Sequence, residues 1–380
     1  MIFYLKILFI ISIVFIFYAY IGYPVSLIIL GMLKDKTKQR GNYRPNITII
    51  ITAYNEEKRI KEKIENTLEI SYPRGNLQIL IASDGSSDRT NEIAAGFRER
   101  GIELLALAER GGKENAQKEA IKHARGEILV FTDVATMLDP TGIEQIVSNF
   151  TDPAVGCVSS EDQVIGKDGK KSGEGFYVRY EMWLRRLESR IYSLVGLSGS
   201  FFAARKIVCL DFLGDMTSDF HTLLNSMRMG LRGISDPKAI GYYLDVADQR
   251  REFDRKVRTV LRGITVFFGN PEFLNFLKYG VFSYQYFCHK LLRWLVPVFL
   301  IIALVANFFL AVYSNLFFIV LIGQISFYLL AIVGWQSNYA SSWVLLKIPC
   351  YFITVNASII VAWFRYFKHE RIVMWTPSER

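Results

Sequence analysis

Residues 47–56 read ITIIITAYNE, an unbroken β-branched run that ends in polar side chains, and this stretch decides the fold. A strand that is apolar at every position is typical of the middle of a parallel sheet, where helices cover both faces. In residues 55–72, Glu and Lys alternate with aliphatic residues at helical spacing, up to Pro73. The stretch therefore predicts the first strand and the first helix of an α/β domain.

The same alternation of strand and helix continues along the chain. Further strands and helices are predicted at 78–82, 87–100, 103–107, 115–124, 128–132 and 140–150. Such an alternation forms a mostly parallel sheet that binds its ligand at the carboxyl ends of the strands. Polar clusters follow four of the strands, at 53–56, 83–86, 111–113 and 133–136. We expect the chemistry of the protein at these four strand ends.

The composition indicates a membrane protein. Hydrophobic residues make up 51% of the 380 residues and charged residues 21%, with a mean hydropathy of +0.21. Residues 7–33 carry no charge, and about 20 apolar residues suffice to cross a bilayer. A cleaved signal peptide is disfavoured because the run is too long and lacks a small-residue cleavage site. Basic residues at 34–40 follow the run, which predicts that the next segment is cytosolic.

Apolar runs return near the C-terminal end, at 295–313, 316–334 and 344–364. Three crossings that start in the cytosol would leave the basic residues after 364 outside, against the positive-inside rule. The third run, which Lys347 and Pro349 interrupt, is the weakest and is a candidate for a re-entrant segment. The predicted domains are an anchor at 1–33, a cytosolic domain at 41–270, an interfacial amphipathic segment at 271–293, a transmembrane region with two or three spans at 294–366, and a tail at 367–380.

Charge and cysteine content narrow the function classes. The net charge is +9, but the basic residues flank the apolar runs instead of interleaving with aromatic residues, so no nucleic acid partner is predicted. Four cysteines stand far apart without a CxxC pair, which predicts reduced thiols and neither a disulfide framework nor a zinc module.

The four polar clusters, in this order and context, resemble those of the family 2 glycosyltransferases over about residues 45–265. The flanking apolar runs resemble the membrane-bound polysaccharide-synthase branch of that family. The resemblance implies an α/β fold, a GT-A nucleotide-sugar-binding domain with N-terminal and C-terminal transmembrane helices. It also implies an inverting hexosyl- or N-acetylhexosaminyltransferase.

The resemblance implies a donor site for a UDP-sugar. Tyr54, Asn55 and Glu56 would frame the base and ribose, and Asp84 would accept a hydrogen bond from the uracil N–H or the ribose. Lys113 corresponds to a lysine that approaches the base or the diphosphate. A flat base, a diol and a diphosphate need a stacking group, a carboxylate and a cation, and these residues supply all three.

Asp133 matches the first aspartate of the family's DxD motif, which implies Mg²⁺ or Mn²⁺ bound against the diphosphate. The second aspartate of the motif is replaced by Ala135. The cation would then be held by Asp133, diphosphate oxygens, water and His221. Metal-independent transfer is the alternative.

Asp219 is the predicted general base. Thr217-Ser218-Asp219 occupies the place of the family's TED motif, and an inverting displacement needs a carboxylate that takes the proton of the acceptor hydroxyl. An ordinary helix-capping acid is the alternative. Glu161, Asp162 and the glycine-rich loop that contains Gly199 are expected near the sugars.

Residues 249–253 stand where processive synthases carry a Q-x-x-R-W motif that grips the acceptor. Gln249 fits, Arg250 and Phe253 remain candidates for contact with acceptor or diphosphate, and Glu252 replaces the motif arginine. Processivity is therefore not implied. The arginines that follow could bind donor diphosphate, lipid phosphate or headgroups.

The sequence thus predicts an inner-membrane enzyme that transfers a sugar from a UDP-sugar to a lipid-linked saccharide or a growing polysaccharide. Its expected partners are the donor, the acceptor, membrane lipids and an export or synthase subunit. A polyprenyl-phosphate glycosyltransferase is the second hypothesis. A degenerate, non-catalytic membrane scaffold is the third, and the presence of Asp84, Lys113, Asp133 and Asp219 argues against it.

Overall fold

The computed structural model describes residues 1–33, 41, 43–165, 176–212, 217–244, 249–336 and 343–371. The chain divides into two compact units. One, here called the membrane unit, contains Met1–Ser26 and Asp248–Arg371, and the other, the sheet unit, has Leu27–Ala247 as its main segment. The helix over Gln249–Gly269, which the sequence prediction assigned to the cytosolic domain, belongs to the membrane unit.

The described helices and strands follow one another along the chain. The strands are β1 (Ile47–Ala53), β2 (Leu77–Ser83), β3 (Ile102–Ala106), β4 (Ile128–Asp133), β5 (Met137–Leu138), β6 (Val155–Ile165), β7 (Phe201–Arg205) and β8 (Arg232–Leu244). The α-helices are α1 (Ile2–Phe17), α2 (Tyr23–Leu33), α3 (Ile60–Leu68), α4 (Thr90–Ala95), α5 (Lys113–His123), α6 (Gly142–Ser148), α7 (Phe176–Ile191), α8 (Ser218–Arg228), α9 (Gln249–Gly269), α10 (Phe276–Tyr279), α11 (Val281–Tyr286), α12 (Arg293–Ala311), α13 (Asn315–Gln336) and α14 (Val344–Phe367). Two π-helical segments, Tyr18–Gly22 and Phe287–Leu292, lie within longer helices.

The sheet unit contains one eight-stranded sheet in the order β3-β2-β1-β4-β7-β6-β8-β5. Strands β1 to β4 are parallel to one another, and β7 is antiparallel to both β4 and β6. The predicted strands at 47–52, 78–82, 103–107 and 128–132 are all present, with bounds that differ by at most one residue. The predicted α/β fold is therefore confirmed.

Strand β1 is buried at every position because the sheet has a hydrophobic core on each face. Ile49 and Ile51 belong to the core on one face, and Ile50 belongs to the core on the other. Burial of each such side chain contributes about 1.5–3 kcal/mol. Removal of apolar area from both faces is the physical reason why this segment forms a central strand.

The position of β1 also sets the place of the site. From β1 the chain moves to β2 and β3 on one side, and it then returns to β4 on the other side of β1. A crevice opens at the carboxyl ends of two strands at such a reversal of strand order, and ligands bind there. Residues after β1 and β4 therefore border a natural binding site.

The membrane unit contains helices that are long and apolar enough to cross a bilayer. By length and composition, the described residues include four such helical stretches, over Ile2–Met32, Val281–Ala311, Asn315–Gln336 and Leu345–Phe367. The segment 271–293, predicted as interfacial, contains short helical turns up to Tyr279 and then the first part of the helix that continues to Ala311. Its interfacial placement stays a prediction.

Candidate active site

Asp84 lies directly after β2 and fastens the turn that follows β3. Its side chain is fully buried, and its two carboxylate oxygens accept hydrogen bonds from the backbone amides of Gly111 (2.7 Å) and Gly112 (2.8 Å). Gly85, with φ +63°, passes so close to this turn that a Cβ would lie 2.7 Å from the backbone nitrogen of Arg110. In this structure Asp84 therefore holds the Gly111–Gly112 turn, and its predicted contact with uracil or ribose stays a prediction.

The segment after β1 carries the predicted base and ribose ligands. The Arg110 guanidinium stacks on the Tyr54 ring, with its carbon 3.8 Å from the ring centroid. Asn55 has a φ of +49°, and its side-chain oxygen accepts a hydrogen bond from the Ser87 amide at 2.9 Å. A cationic and aromatic pair of this kind presents a flat surface at the strand ends.

Glu56 is buried and paired with Arg59. The guanidinium donates from Nε at 2.8 Å and from a terminal nitrogen at 2.9 Å to the two carboxylate oxygens. Burial raises the pKa of Glu56, with smaller contributions in the same direction from Asp133 and Asp88, while Arg59 lowers it. Glu56 therefore acts within this structure as the partner of Arg59, and its predicted contact with the donor stays a prediction.

Lys113 joins three elements at the centre of the site. Its ammonium donates a hydrogen bond to the carbonyl oxygen of Gly199 at 2.8 Å and lies 2.5 Å from Oδ1 of Asp133. The Asp133 amide in turn donates to the carbonyl oxygen of Ser200 at 3.2 Å. The end of β4, the start of α5 and the glycine-rich loop before β7 thus meet at one point.

A second lysine, Lys63, contacts the end of β4 and the residues that follow it. It projects from α3 and is fully buried, and its ammonium donates to the Thr132 hydroxyl at 3.1 Å and to the Thr136 carbonyl. Burial lowers the pKa of Lys63 to about 7, and the nearby charge of Asp133 opposes that shift. Lys63 was not among the predicted site residues, although its position between Ile60 and Ile64 on the apolar side of α3 was a signal in the sequence.

Asp219 lies beside the glycine-rich loop. It stands in the first turn of α8, and a Cβ built on Gly199 would be 3.5 Å from its Oδ2. Because the Gly199 carbonyl also binds Lys113, the predicted base on α8 and the predicted diphosphate ligand on α5 both lie next to Gly199. A larger side chain at Gly199 would fill the space between them.

Glu161 and Asp162, which are expected near the sugars, form ion pairs and hydrogen bonds with other side chains of the protein. Arg186 forms a two-point ion pair with Glu161, at 2.6 and 2.7 Å. Asp162 is half-buried and accepts hydrogen bonds from the hydroxyls of Ser198 (2.8 and 2.7 Å) and Ser200 (3.1 Å). Burial raises the pKa of Asp162, and these hydroxyls oppose the rise. Asp162 therefore fixes the loop on either side of Gly199.

The protein ligands for a metal are few. Within the ranges that the structure describes, no group of three or more His, Cys, Asp or Glu side chains forms a potential metal centre. His221 is buried in α8, with its Nδ1 3.4 Å from the Asn225 amide nitrogen, and its predicted role as a metal ligand stays a prediction. Oδ1 of Asp133 is buried and accepts no well-directed hydrogen bond from the described residues, although Lys113 is at ion-pair distance. One carboxylate oxygen of the protein thus fits a hard cation whose other ligands come from phosphate and water.

The predicted acceptor residues belong to α9 of the membrane unit. The Phe253 ring lies edge to face with Trp335, with centroids 6.1 Å apart. Glu252 accepts hydrogen bonds from Arg255 and Lys256, and together they lower its pKa to about 2 although burial alone would raise it. Arg250 begins this helix together with Gln249, whose side chain lies outside the described structure.

The structure thus brings together, within the sheet unit, Lys113, Asp133, Gly199 and Asp219, residues that are far apart in the sequence. Four other predicted site residues of this unit are bound by its own groups: Asp84, Glu56, Glu161 and Asp162. For Asp84, Glu161 and Asp162 the hydrogen-bond partners come from distant segments, and no local pattern indicates them, whereas the partner of Glu56 is the nearby Arg59.

Residues 48–209 match the model of the Glycosyl transferase family 2. The poly-β-1,6-N-acetyl-D-glucosamine synthase of Staphylococcus aureus strain COL is 28% identical over 193 residues, which are 49% of this chain and 46% of that protein. The synthase of the same name from Staphylococcus epidermidis is 29% identical over 123 residues, 32% of this chain and 29% of that one. The chain spans about half the length, or less, of these curated relatives.

A solved structure is similar over nearly the whole chain. The mannosyltransferase PcManGT from Pyrobaculum calidifontis, in complex with GDP-Man and Mn²⁺, matches with a TM-score of 0.74, covering 97% of this chain and 100% of that one at 22% identity. At this identity the match shows the fold, and it confirms the expected GT-A-like architecture with apolar helices at both ends. The part of this chain that matches the Glycosyl transferase family 2, residues 48–209, lies within the main segment of the sheet unit.

Proposed function

We propose that this chain is an inverting glycosyltransferase that transfers a sugar from a UDP-sugar to a lipid-linked saccharide or a growing polysaccharide at the membrane. The observation that carries the proposal is the meeting of Lys113, Asp133 and Asp219 around Gly199. A cation for the leaving diphosphate and a carboxylate for the acceptor proton lie close together there, beside the reversal of strand order. This is the combination that a single in-line displacement needs.

The donor would bind over the ends of β1 and β4. The stacked pair of Tyr54 and Arg110 offers a surface for the base, and Lys113 offers a positive charge for the diphosphate. The curated relatives are by name synthases of a polymer of N-acetyl-D-glucosamine, which supports an N-acetylhexosamine as the sugar. The solved neighbour binds GDP-Man, so guanine donors belong in any test of the base.

Asp133 would hold a divalent cation, Mg²⁺ or Mn²⁺, with one carboxylate oxygen. The cation, when bound, would neutralise charge that develops on the leaving diphosphate. Because Ala135 supplies no second carboxylate, affinity for the metal alone should be low and should rise when the nucleotide is present. The neighbour's complex with Mn²⁺ is consistent with this assignment.

Asp219 would accept the proton of the attacking hydroxyl. Gly199 places no side chain beside this carboxylate, and a Cβ there would already be in van der Waals contact with Oδ2 of Asp219 at 3.5 Å. Asp162 keeps this loop in place through Ser198 and Ser200, which makes it a positioning residue. The loss of Asp162 would therefore disturb the loop, whereas the loss of Asp219 would remove the base itself.

A polyprenyl phosphate as the acceptor is the second candidate, and one observation favours it. Arg251, Arg255, Arg258 and Arg262 recur on α9 at the spacing of a single helical side. Burial and the charges of Arg262 and Arg255 lower the pKa of Arg258, a sign of concentrated positive charge. Such a row suits a phosphate group.

The proposed location is the inner membrane, with the sheet unit in the cytosol where nucleotide-sugars are made. The candidate spans and the similarity to polysaccharide synthases support a membrane protein. The basic residues at 34–40, which lie outside the described residues, support the orientation by the positive-inside rule. An export or synthase partner subunit remains part of the proposal.

The test is a panel of radiolabelled donors added to membranes that contain the full chain. The panel includes UDP-N-acetylglucosamine, UDP-glucose and GDP-mannose, and the label is followed into lipid extract, polymer and water-soluble hydrolysis product. The Asp219→Asn variant at equal abundance is the matched control. Incorporation from a UDP-sugar that Asp219→Asn loses supports the proposal, and incorporation from GDP-mannose alone would overturn the assigned donor.

A further inference from the structure

Helix α14 (Val344–Phe367) satisfies the length and composition of a membrane span, but its packing within the membrane unit is unlike that of a span. Its mean hydropathy over the best window is 1.7, whereas the other three candidates each reach 2.5. Hydropathy alone does not say in which direction a helix runs. The contacts of its two ends do.

The hairpin of α12 and α13 provides a scale of depth. The two helices are joined by the three residues 312–314, and the side chains of Asn307 and Gln324 lie 3.1 Å apart across the pair. The open end of the hairpin lies towards the start of α12 and the end of α13. At equal distances from the contact between the two side chains, Trp294 of α12 is level with the C-terminal end of α13. Trp294 and Gly334 therefore lie at the same end, far from the connecting turn.

Both ends of α14 contact this open end. Near its start, a Cβ built on Gly334 would lie 2.9 Å from Cβ of Cys350. Near its finish, Nε1 of Trp363 donates a hydrogen bond to the carbonyl oxygen of Trp294 at 2.9 Å. At 1.5 Å per residue, the helix advances about 20 Å between Cys350 and Trp363. A span would carry Trp363 that distance towards the turn at 312–314, but it remains at the level of Trp294.

Helix α9 lies along α14 over the same distance. Lys256 lies over the Tyr351 ring, 5.2 Å from its centroid, and Phe268 contacts Trp363 with centroids 5.7 Å apart. The numbering rises in the same direction in both helices, so they run parallel. A layer of two helices thus crosses the open ends of α12 and α13.

Apolar side chains are arranged around α14 as on a helix that lies in the plane of a membrane surface. At 3.6 residues per turn, the exposed apolar residues at both ends share one side with Phe352 at the middle; they are Leu345, Ile348, Ile360, Phe364 and Phe367. Phe352 packs on Tyr20 and Phe327, with centroids 5.6 and 5.9 Å away. The side that packs on the spans at the middle of α14 is therefore exposed and apolar at the overhanging ends.

The cations of α14 lie on the opposite side. Lys347 and Arg365 project roughly half a turn away from the apolar row, whereas Lys368, directly after α14, has its ammonium 4.4 Å from the centroid of the Phe364 ring. A helix with an apolar side and a basic side is typical of the membrane interface, where the apolar side enters the acyl region and the basic side meets headgroups and water. A helix that lies in hydrocarbon along its whole length is not expected to carry a basic side opposite an apolar side.

We propose that α14 lies in the plane of the membrane at its cytosolic surface and inserts its apolar row into one leaflet, so that, of the four candidate spans among the described residues, the other three cross the bilayer. The occupant of the exposed row is lipid acyl chain, since the row is continuous with the apolar surface of the spans. Arg365, Lys368 and Arg371 then stay on the same side as residues 34–40, as the positive-inside rule requires.

The test uses single cysteines in the full chain, in a background in which the four native cysteines are replaced by serine. Arg98→Cys in the sheet unit, Asn315→Cys at the turn and Lys368→Cys after α14 are labelled with an impermeant maleimide in intact cells and in inverted vesicles. We expect Lys368→Cys to label from the same side as Arg98→Cys, and Asn315→Cys from the other side. Labelling of Lys368→Cys together with Asn315→Cys would overturn the proposal.

Two further measurements keep the outcome interpretable. A reporter enzyme fused after Arg380 reports the side of the C-terminal end without any change to the native cysteines. Spin labels at Leu345, Ile360 and Phe367 measure depth by collision with oxygen and with a water-soluble nickel complex. Equal depths near one surface support the in-plane helix, whereas a deep Ile360 between two shallow ends would show a span.

Discussion

Replacement of Asp84 by alanine should destabilise the sheet unit, because its carboxylate is the acceptor for two buried backbone amides. The amides of Gly111 and Gly112 donate to it at 2.7 and 2.8 Å, and the side chain is fully buried. Leaving a buried donor unsatisfied costs about 1–3 kcal/mol, and hydrogen bonds to a charged group are worth about 1.5–3 kcal/mol. Two such losses amount to about 3–6 kcal/mol of unfolding free energy.

The expected consequence is a lower melting temperature and weaker binding of UDP. For a domain of 150–250 residues, 1 kcal/mol shifts Tm by about 2–4 °C, so Asp84→Ala should melt at least about 6 °C below the wild type. Nucleotide binding should fall as well, because the turn places Lys113 against Asp133. Differential scanning fluorimetry of the detergent-solubilised full chain, with and without UDP, measures both quantities.

Glu109→Ala is the matched control, since it removes an exposed carboxylate from the same loop. Its Tm and its stabilisation by UDP should equal those of the wild type. If Asp84→Ala has the Tm of the wild type but is no longer stabilised by UDP, the structural role is refuted and a direct contact between Asp84 and the donor is supported. An Asp84→Ala protein that is unchanged in both respects would remove Asp84 from the site altogether.

Three other predictions follow from the site and from α9. Asp219→Asn should slow sugar transfer by about 10²–10⁴-fold while donor affinity is kept, because the amide cannot accept the proton; an Asp162→Asn variant that is inactive beside a normal Asp219→Asn would move the base. Chelation with EDTA should abolish transfer and added Mn²⁺ should restore it, if Asp133 holds the cation; full activity in EDTA would exclude that role. The ion pairs of Glu252 lower its pKa from 4.5 to about 2, so the stability they contribute is present above pH 4.5 and is lost as the pH falls towards 2. The difference in Tm between wild type and Glu252→Gln should therefore shrink over that interval, and a difference that is constant with pH would contradict it.

The sequence by itself determined the α/β class, the strands and most helices of the sheet unit and the apolar helices. These features depend on local patterns: a β-branched run such as Ile47–Ala53 is stable only where both of its faces are covered, and helical spacing of aliphatic residues selects the buried side of a helix. The carboxyl ends of the strands also followed, since parallel strands bring them to one edge. Lys113 and Asp133 could therefore be placed near a common site, whereas Asp219 was assigned to it only through the resemblance to the TED motif.

Only the tertiary structure decided which polar residues are free to meet a ligand and which hold the protein together. Asp84 and Asp162 are predicted ligands, and only the structure shows that their oxygens also accept hydrogen bonds from amides and hydroxyls of distant loops. Lys63 lies at the site because the packing of α3 on the sheet brings its ammonium to the Thr132 hydroxyl of β4. The direction of α14 was hidden for the same reason: apolar composition sets how much surface must leave water, while contacts with Gly334 and Trp294 set where the helix lies.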